Sequence, residues 1–125
     1  MHEQPDLRGL RLLLVEDEYA LAVGQADIAL GLGADVLGPV ASVADALSLI
    51  RRIPEIDAAV LDVNLGADTI DPVADALMAR GVPFLFCTAR ERSALPPRFA
   101  HIPLVRKPFG VDAFREALGR FTAAA

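Results

Sequence analysis

Three adjacent acids, Glu16, Asp17 and Glu18, follow directly after the apolar run LLLV at 12–15. Carboxylates this close together repel one another and cost stability unless a cation offsets their charge. A further acid, Asp62, lies near the end of a later apolar run, where an unpaired buried charge is also costly. The pattern therefore predicts that the acids share a cation.

Oxygen-rich groups of this kind suit a hard divalent cation such as Mg²⁺, which keeps several waters and prefers to share its site with phosphate. Glu16, Asp17 and Asp62 are the candidate carboxylate ligands, and the backbone carbonyl of Asn64 is a further candidate. Glu18 is interpreted instead as favourable charge in the first turn of a helix. Beside a bound metal, Asp62 stays ionised and can attack a phosphorus atom, which would form an acyl phosphate.

Two further groups complete this predicted chemistry. Thr88 ends another apolar run, and Lys107 follows the last one, immediately before Pro108. A hydroxyl and an ammonium group would stabilise the equatorial oxygens of a phosphoryl group during its transfer. Each residue taken alone also has a structural interpretation, as a solvated turn, a helix cap or a solvated lysine. Four strand ends that each carry a residue suited to the same chemistry favour a functional site.

The elements that must position these residues alternate between strand and helix. Continuous apolar runs indicate parallel strands that are covered by helices on both faces, and such sheets bind ligands beyond the carboxyl ends of their strands. A fourth helix, before the last strand, is predicted to be short or irregular because Pro96 and Pro97 interrupt its pattern. Strands are predicted at 10–15, 34–41, 57–63, 82–88 and 102–107, and helices at 18–32, 43–52, 72–80 and 111–121.

Composition limits the other possibilities. The 125 residues suffice for one domain, predicted at 10–122 after an N-terminal tail at 1–9 and with no output domain. The net charge of −5 disfavours nucleic acid as a direct partner, and no apolar run approaches the length of a membrane span. The single cysteine, Cys87, fits a reducing cytoplasm.

The stretches LLLVEDE, AAVLDVNLG and LVRKPF resemble, in this order, the receiver domain of two-component response regulators. The resemblance covers nearly the whole chain. It implies a flavodoxin-like, doubly wound (βα)5 fold with a five-stranded parallel sheet in the order 2-1-3-4-5. It also implies the following roles: Glu16 and Asp17 as the acidic pair, Asp62 as the phosphoacceptor, Asn64 as the carbonyl ligand of Mg²⁺, Thr88 as the switch hydroxyl and Lys107 as the partner of the phosphoryl group.

The same resemblance implies partners. A histidine kinase or a phosphotransfer protein would donate the phosphoryl group, and the output would be an unknown downstream protein unless the chain acts as a phosphate sink. The stretches VLGPVASVADAL and LPPRFAHIPLVRKPF are similar to the FAT GUY subgroup of receivers, whose members tend to work with kinases of the HWE or HisKA2 type.

Two departures from the family pattern concern the predicted switch. Ala89 is small enough to let a phosphoryl group approach the backbone, but Arg90 follows it, either as an extra cation over that group or as a solvated side chain. Leu104 stands where most receivers carry an aromatic residue, so it cannot act as an aromatic rotamer switch. The hypothesis is that movement of segment 89–101 replaces it.

The first helix, at 18–32, is apolar around much of its circumference. Tyr19, Val23 and Leu30 are therefore expected to be partly exposed, either incidentally or as a docking face for a kinase or for a second copy in a homodimer.

Two alternatives to the phosphoacceptor remain. An aspartate-dependent phosphohydrolase would be an enzyme, but it would carry a second acid where Asn64 stands, and its nucleophile would end the first strand. We therefore do not expect an enzyme. A pseudo-receiver that binds partners without phosphorylation would lack one of the acids or the lysine, and none of these is missing.

Overall fold

The computed structural model describes residues 4–65, 68–89 and 95–123, although the side chain of the last residue is not included. The strands are β1 (Arg11–Val15), β2 (Asp35–Val40), β3 (Ala58–Asp62), β4 (Asn64–Leu65), β5 (Asp68–Thr69), β6 (Phe84–Thr88) and β7 (Leu104–Arg106). The α-helices are α1 (Tyr19–Gly31), α2 (Val43–Arg52), α3 (Asp71–Ala79) and α4 (Val111–Ala123). The predicted elements are confirmed within one to two residues at most ends.

Five strands form one parallel sheet in the order β2-β1-β3-β6-β7. When only these strands are numbered, this is the predicted order 2-1-3-4-5. Val15 of β1 is in register with Leu61 of β3, and Asp62 is in register with Cys87 of β6. The carboxyl ends of the three central strands therefore lie at one edge of the sheet, as the doubly wound fold requires.

The core has two parts, one on each face of the sheet, which explains why the strands are apolar without alternation. Leu13 and Val15 pack on the face covered by α2 and α3, whereas Leu12 and Leu14 pack on the face covered by α1 and α4. Leu7 is also buried in the second part, and its N–H donates to the Leu32 carbonyl at 2.8 Å. The segment predicted as a tail thus contributes a core side chain.

The ends of the helices follow local chemistry. The Ser42 hydroxyl accepts the N–H of Asp45 at 3.1 Å and caps α2. Gly33 follows α1 with a φ of 101°. A Cβ at this position would lie 2.7 Å from Cγ of Arg8, so both the backbone conformation and the close approach require glycine.

The region predicted to hold a short or irregular fourth helix contains one 3₁₀ turn, Pro97–Phe99, in its described part. Residues 90–94 lie outside the described residues, so the predicted movement of this segment stays a prediction. The Phe99 side chain is fully buried, and the Arg98 guanidinium donates to the Asp75 carboxylate of α3 at 2.9 and 3.0 Å. The turn is therefore anchored both in the core and on α3.

No strand is predicted between β3 and α3, and here the structure differs. Asn64 pairs with Thr69, and Leu65 pairs with Asp68, in a small antiparallel hairpin of β4 and β5. Strands of two residues are too short to produce a periodic pattern, so sequence reasoning could not identify them.

Among the helices of the described residues, none is both long and apolar enough to cross a membrane.

Candidate functional site

The structure brings together three of the predicted acids at the carboxyl edge of the sheet. Carboxylate oxygens of Glu16, Asp17 and Asp62 lie within 4.8 Å of one another. Glu16 and Asp62 are buried, with 2% and 3% of their surface exposed, whereas Asp17 is exposed to solvent. The acids meet because they end or follow the adjacent parallel strands β1 and β3.

Lys107, the only lysine of the chain, lies between two of these acids. Its Nζ is 3.0 Å from Oε1 of Glu16 and 3.3 Å from Oδ1 of Asp62. Its backbone N–H donates to the Thr88 carbonyl at 2.8 Å, which holds the segment after β7 against β6. Burial lowers the pKa of Lys107, but the hydrogen bond to Glu16 and the charges of both acids outweigh burial and raise it. The side chain is therefore a firmly charged ammonium.

The Asp62 carboxyl has an unusual environment for an acid. Burial is the largest influence and, together with the neighbouring Glu16, raises the pKa of Asp62 from 3.8 to about 7. The Asn64 N–H, which donates to Oδ1 of Asp62 at 3.2 Å, and the Lys107 ammonium both act in the opposite direction. One lysine therefore does not offset the negative charge that three carboxylates bring to this edge.

These residues fit a hard divalent cation. The three carboxylates converge, Lys107 leaves an excess of negative charge, and Asp17 keeps one side of the site in contact with water. Asn64 is part of β4, and its N–H points toward Asp62.

Thr88 ends β6 and is buried, in register with Arg106 of β7. Ala89, directly after it, is exposed, and Arg90 lies outside the described residues. Leu104 begins β7 and packs, partly buried, against the core on the α2 and α3 face. Thus Thr88 and Lys107 are adjacent at the edge that holds the acids, as their positions after neighbouring strands predict.

Pro108 follows Lys107 through a cis peptide bond and is exposed. The thiol of Cys87 is buried beside the site, and burial raises its pKa to about 12, so it is not a nucleophile. The chemistry of this edge therefore rests on oxygen groups and on one ammonium.

Sequence reasoning missed one residue of the site, Gln25 of α1. Its side chain is buried, with 3% of its surface exposed, and Nε2 donates to Oε1 of Glu16 at 3.3 Å. The only signal in the sequence was a polar residue within a largely apolar helix, and such a residue is more often exposed.

The predicted exposure of apolar side chains on α1 is confirmed. Tyr19, Val23 and Leu30 are 82%, 39% and 54% exposed. Their spacing of four and seven residues places them along one side of the helix. Whether this surface binds a partner stays a prediction.

No protein-family model and no curated protein matches the chain. Among solved structures, the chain is similar to SdrG from Sphingomonas melonis Fr1, with 38% identity and a TM-score of 0.78 over 90% of this chain and 96% of that one. It is also similar to the BeF3-activated conformation of SdrG from Pseudomonas melonis Fr1, with 40% identity and a TM-score of 0.72 over 86% of this chain and 92% of that one.

A third similar structure is the REC domain of the PhyR response regulator from Erythrobacter litoralis, with 27% identity and a TM-score of 0.78 over 95% of this chain and 92% of that one. These neighbours are receiver domains, and their likeness extends over nearly all of this chain. The flavodoxin-like sheet, the acids that meet beyond its strands and this likeness lead to one conclusion: the chain belongs to the receiver domain family of two-component response regulators.

Proposed function

We propose that the chain is a phosphoacceptor, in which Asp62 receives a phosphoryl group from a phosphohistidine of a histidine kinase or of a phosphotransfer protein. The observation that carries this proposal is the Lys107 ammonium, which lies 3.0 Å from Glu16 and 3.3 Å from Asp62. The ammonium is close enough to reach an oxygen of a group attached to Asp62. No other described lysine or arginine side chain forms an ion pair with Asp62.

In the transfer step, an oxygen of Asp62 forms a bond to phosphorus while the phosphorus–nitrogen bond of the donor breaks. The imidazole nitrogen keeps the electron pair of that bond. Lys107 and the Thr88 hydroxyl donate to the equatorial oxygens of the moving group. Mg²⁺, when held by Glu16, Asp17, Asp62 and the Asn64 carbonyl, supplies the positive charge that keeps Asp62 ionised.

The phosphorylated chain would then signal to a downstream protein, or act as a phosphate sink, without catalysing turnover of its own. This role is supported by a relative, 40% identical to this chain, for which a BeF3-activated conformation has been solved. BeF3 is a compact anionic mimic of a phosphoryl group on a carboxylate. The FAT GUY subgroup, a kinase of the HWE or HisKA2 type and a cytoplasmic location belong to the same proposal.

Intact-mass spectrometry tests the central step. The protein is incubated with a small phosphodonor and Mg²⁺, beside Asp62→Asn and beside a sample in which a chelator removes the metal. A single phosphoryl adduct that requires both Asp62 and Mg²⁺ is expected. The matched control is Asp27→Asn, because Asp27 is an exposed acid on α1.

An adduct of equal size in Asp62→Asn would place the phosphoryl group elsewhere and contradict the proposal. If no adduct forms, Mg²⁺ and BeF3 are added together and the backbone amide signal of Asn64 is followed by NMR. An unchanged signal would favour the alternative, a pseudo-receiver that binds its partners without phosphorylation.

A further inference from the structure

The Gln25 amide is expensive to bury at its position in α1. The neighbouring buried positions of the helix, Ala22 and Ala29, are apolar. Oε1 of Gln25 has no hydrogen-bond partner among the described residues, although the atom is inaccessible to solvent. A buried acceptor without a partner costs stability, so an apolar side chain would serve packing better. The group that Nε2 contacts must therefore explain why a glutamine stands at this position.

Nε2 of Gln25 contacts a Glu16 oxygen that also accepts from Lys107. Oε1 of Glu16 accepts from Nζ of Lys107 at 3.0 Å and from Nε2 of Gln25 at 3.3 Å. The second oxygen of Glu16 accepts the backbone N–H of Glu18 at 3.2 Å. The opposite orientation of the Gln25 amide would place two acceptors against each other, so the donor must face Glu16.

The arrangement matters when the charge of the site changes. Lys107 pairs with two buried acids at once, because its Nζ also lies 3.3 Å from Asp62. A phosphoryl group on Asp62 brings new anionic oxygens, and Lys107 can follow them only by loosening its contact with Glu16. A buried carboxylate oxygen that loses its ammonium donor is destabilised unless another donor remains. Gln25 supplies such a donor to the same oxygen, and it adds no charge that would compete with a metal.

We infer that Gln25 is a positioning residue for phosphoryl transfer: it keeps the Glu16 carboxylate in place and hydrogen-bonded while Lys107 moves to the phosphoryl group. The inference rests on the proposed function, since it concerns the same site. It assigns to α1 an indirect part in the chemistry of the sheet edge, through a side chain that acts on Glu16 and touches neither the phosphoryl group nor the phosphodonor.

Side-chain NMR offers a test that does not depend on activity. The chain contains two glutamines, Gln4 and Gln25, and one asparagine, Asn64, so its spectrum holds only three side-chain amide pairs. The pair that disappears in Gln25→Met identifies Gln25. On addition of BeF3 and Mg²⁺, the Gln25 protons are expected to shift downfield, because their bond to Glu16 shortens as Lys107 leaves.

The backbone amide of Asn64, which donates to Asp62, reports whether BeF3 has bound. If the Asn64 signal shifts and the Gln25 pair does not, the inference is wrong and the proposed function stands. If neither signal shifts, the proposed function fails and the inference fails with it. The Gln4 pair, from an exposed residue, serves as the internal reference.

The rate of phosphoryl transfer gives a second test. Gln25→Met removes the amide and nearly conserves volume, so the fold is expected to persist. A hydrogen bond to a charged group is lost, and phosphorylation by a small donor with Mg²⁺ is expected to slow by about tenfold. Ile28→Met is the matched control, a similar change at a partly buried position of the same helix, and it should leave the rate unchanged.

The effect of Gln25→Met on the transfer rate is also measured in the Glu16→Gln background. This comparison distinguishes a positioning role of Gln25 from a merely structural one. There the bond from Gln25 joins two neutral groups and is roughly half as strong. Gln25→Met is then expected to slow transfer by only about threefold, so that the two substitutions are coupled. An equal, tenfold loss in both backgrounds would show that Gln25 acts through general packing and would overturn the inference.

Discussion

Replacing the phosphoacceptor candidate by its amide, Asp62→Asn, is expected to stabilise the metal-free protein. Burial and the neighbouring Glu16 raise the pKa of Asp62 from 3.8 to about 7. An acid whose pKa is higher in the folded state favours folding only while it is protonated. Its contribution is therefore fully present below about pH 4 and is lost as the pH rises through about 7.

The magnitude follows from the two pKa values. Their difference of about 3 corresponds to about 4 kcal/mol once the carboxyl is fully ionised. Because Asp17 leaves one side of the site open to water, we expect about half of this, about 2 kcal/mol, at pH 8. At pH 5 the difference should be under about 1 kcal/mol. The amide nitrogen of an asparagine can donate to Glu16 while its oxygen accepts from Lys107, so the substitution leaves no group unpaired.

Urea unfolding with a chelator present, followed by circular dichroism because the chain has no tryptophan, measures this effect. The free energies of unfolding are compared at pH 5 and pH 8 for the parent and for Asp62→Asn, and the titrating groups that do not contact Asp62 cancel in the difference. Asp27→Asn, an exposed change on α1, should have no pH-dependent effect. If the parent and Asp62→Asn lose stability equally between pH 5 and pH 8, the assigned origin of the pKa shift is wrong.

Three further predictions concern the metal, the core and the thiol. Mg²⁺ at ten times its dissociation constant should stabilise the protein by about 1.4 kcal/mol at pH 8 and less at pH 5, and thermal melts of Asp62→Asn should lose this gain. Phe99→Ala should lower the free energy of unfolding by about 3 kcal/mol, because the ring is fully buried and lies edge-on to Phe86 at 5.6 Å; unchanged urea midpoints would contradict this packing. Cys87, buried and with its pKa raised to about 12, should react with a thiol reagent only in urea, and labelling in native buffer would show that the strand end opens.

The order of elements and the positions of the site residues could be predicted because they depend on local patterns. Continuous apolar runs indicated buried parallel strands, and topology then required Glu16, Asp62, Thr88 and Lys107 to share one edge. The structure places them there, with Lys107 within 3.3 Å of two acids. The roles of these residues stay predictions.

Other features could not be predicted, because they depend on which surfaces meet. The hairpin after β3 has strands of two residues, too short for any periodic signal. Leu7 is buried because the segment before β1 lies beside the end of α1, where it bonds to Leu32. Neither follows from the composition of the segment itself.

By itself, the sequence determined the fold class, the identity of the acids and the lysine, and the edge of the sheet at which they gather, since each depends on a residue type at the end of a strand. Only the tertiary structure decided how these groups share their charges. The pKa of Asp62 depends on burial and on Glu16, which is 46 residues away, and Gln25 reaches Glu16 because α1 packs against the sheet. Distances and desolvation are properties of the packed state, and no spacing along the chain encodes them.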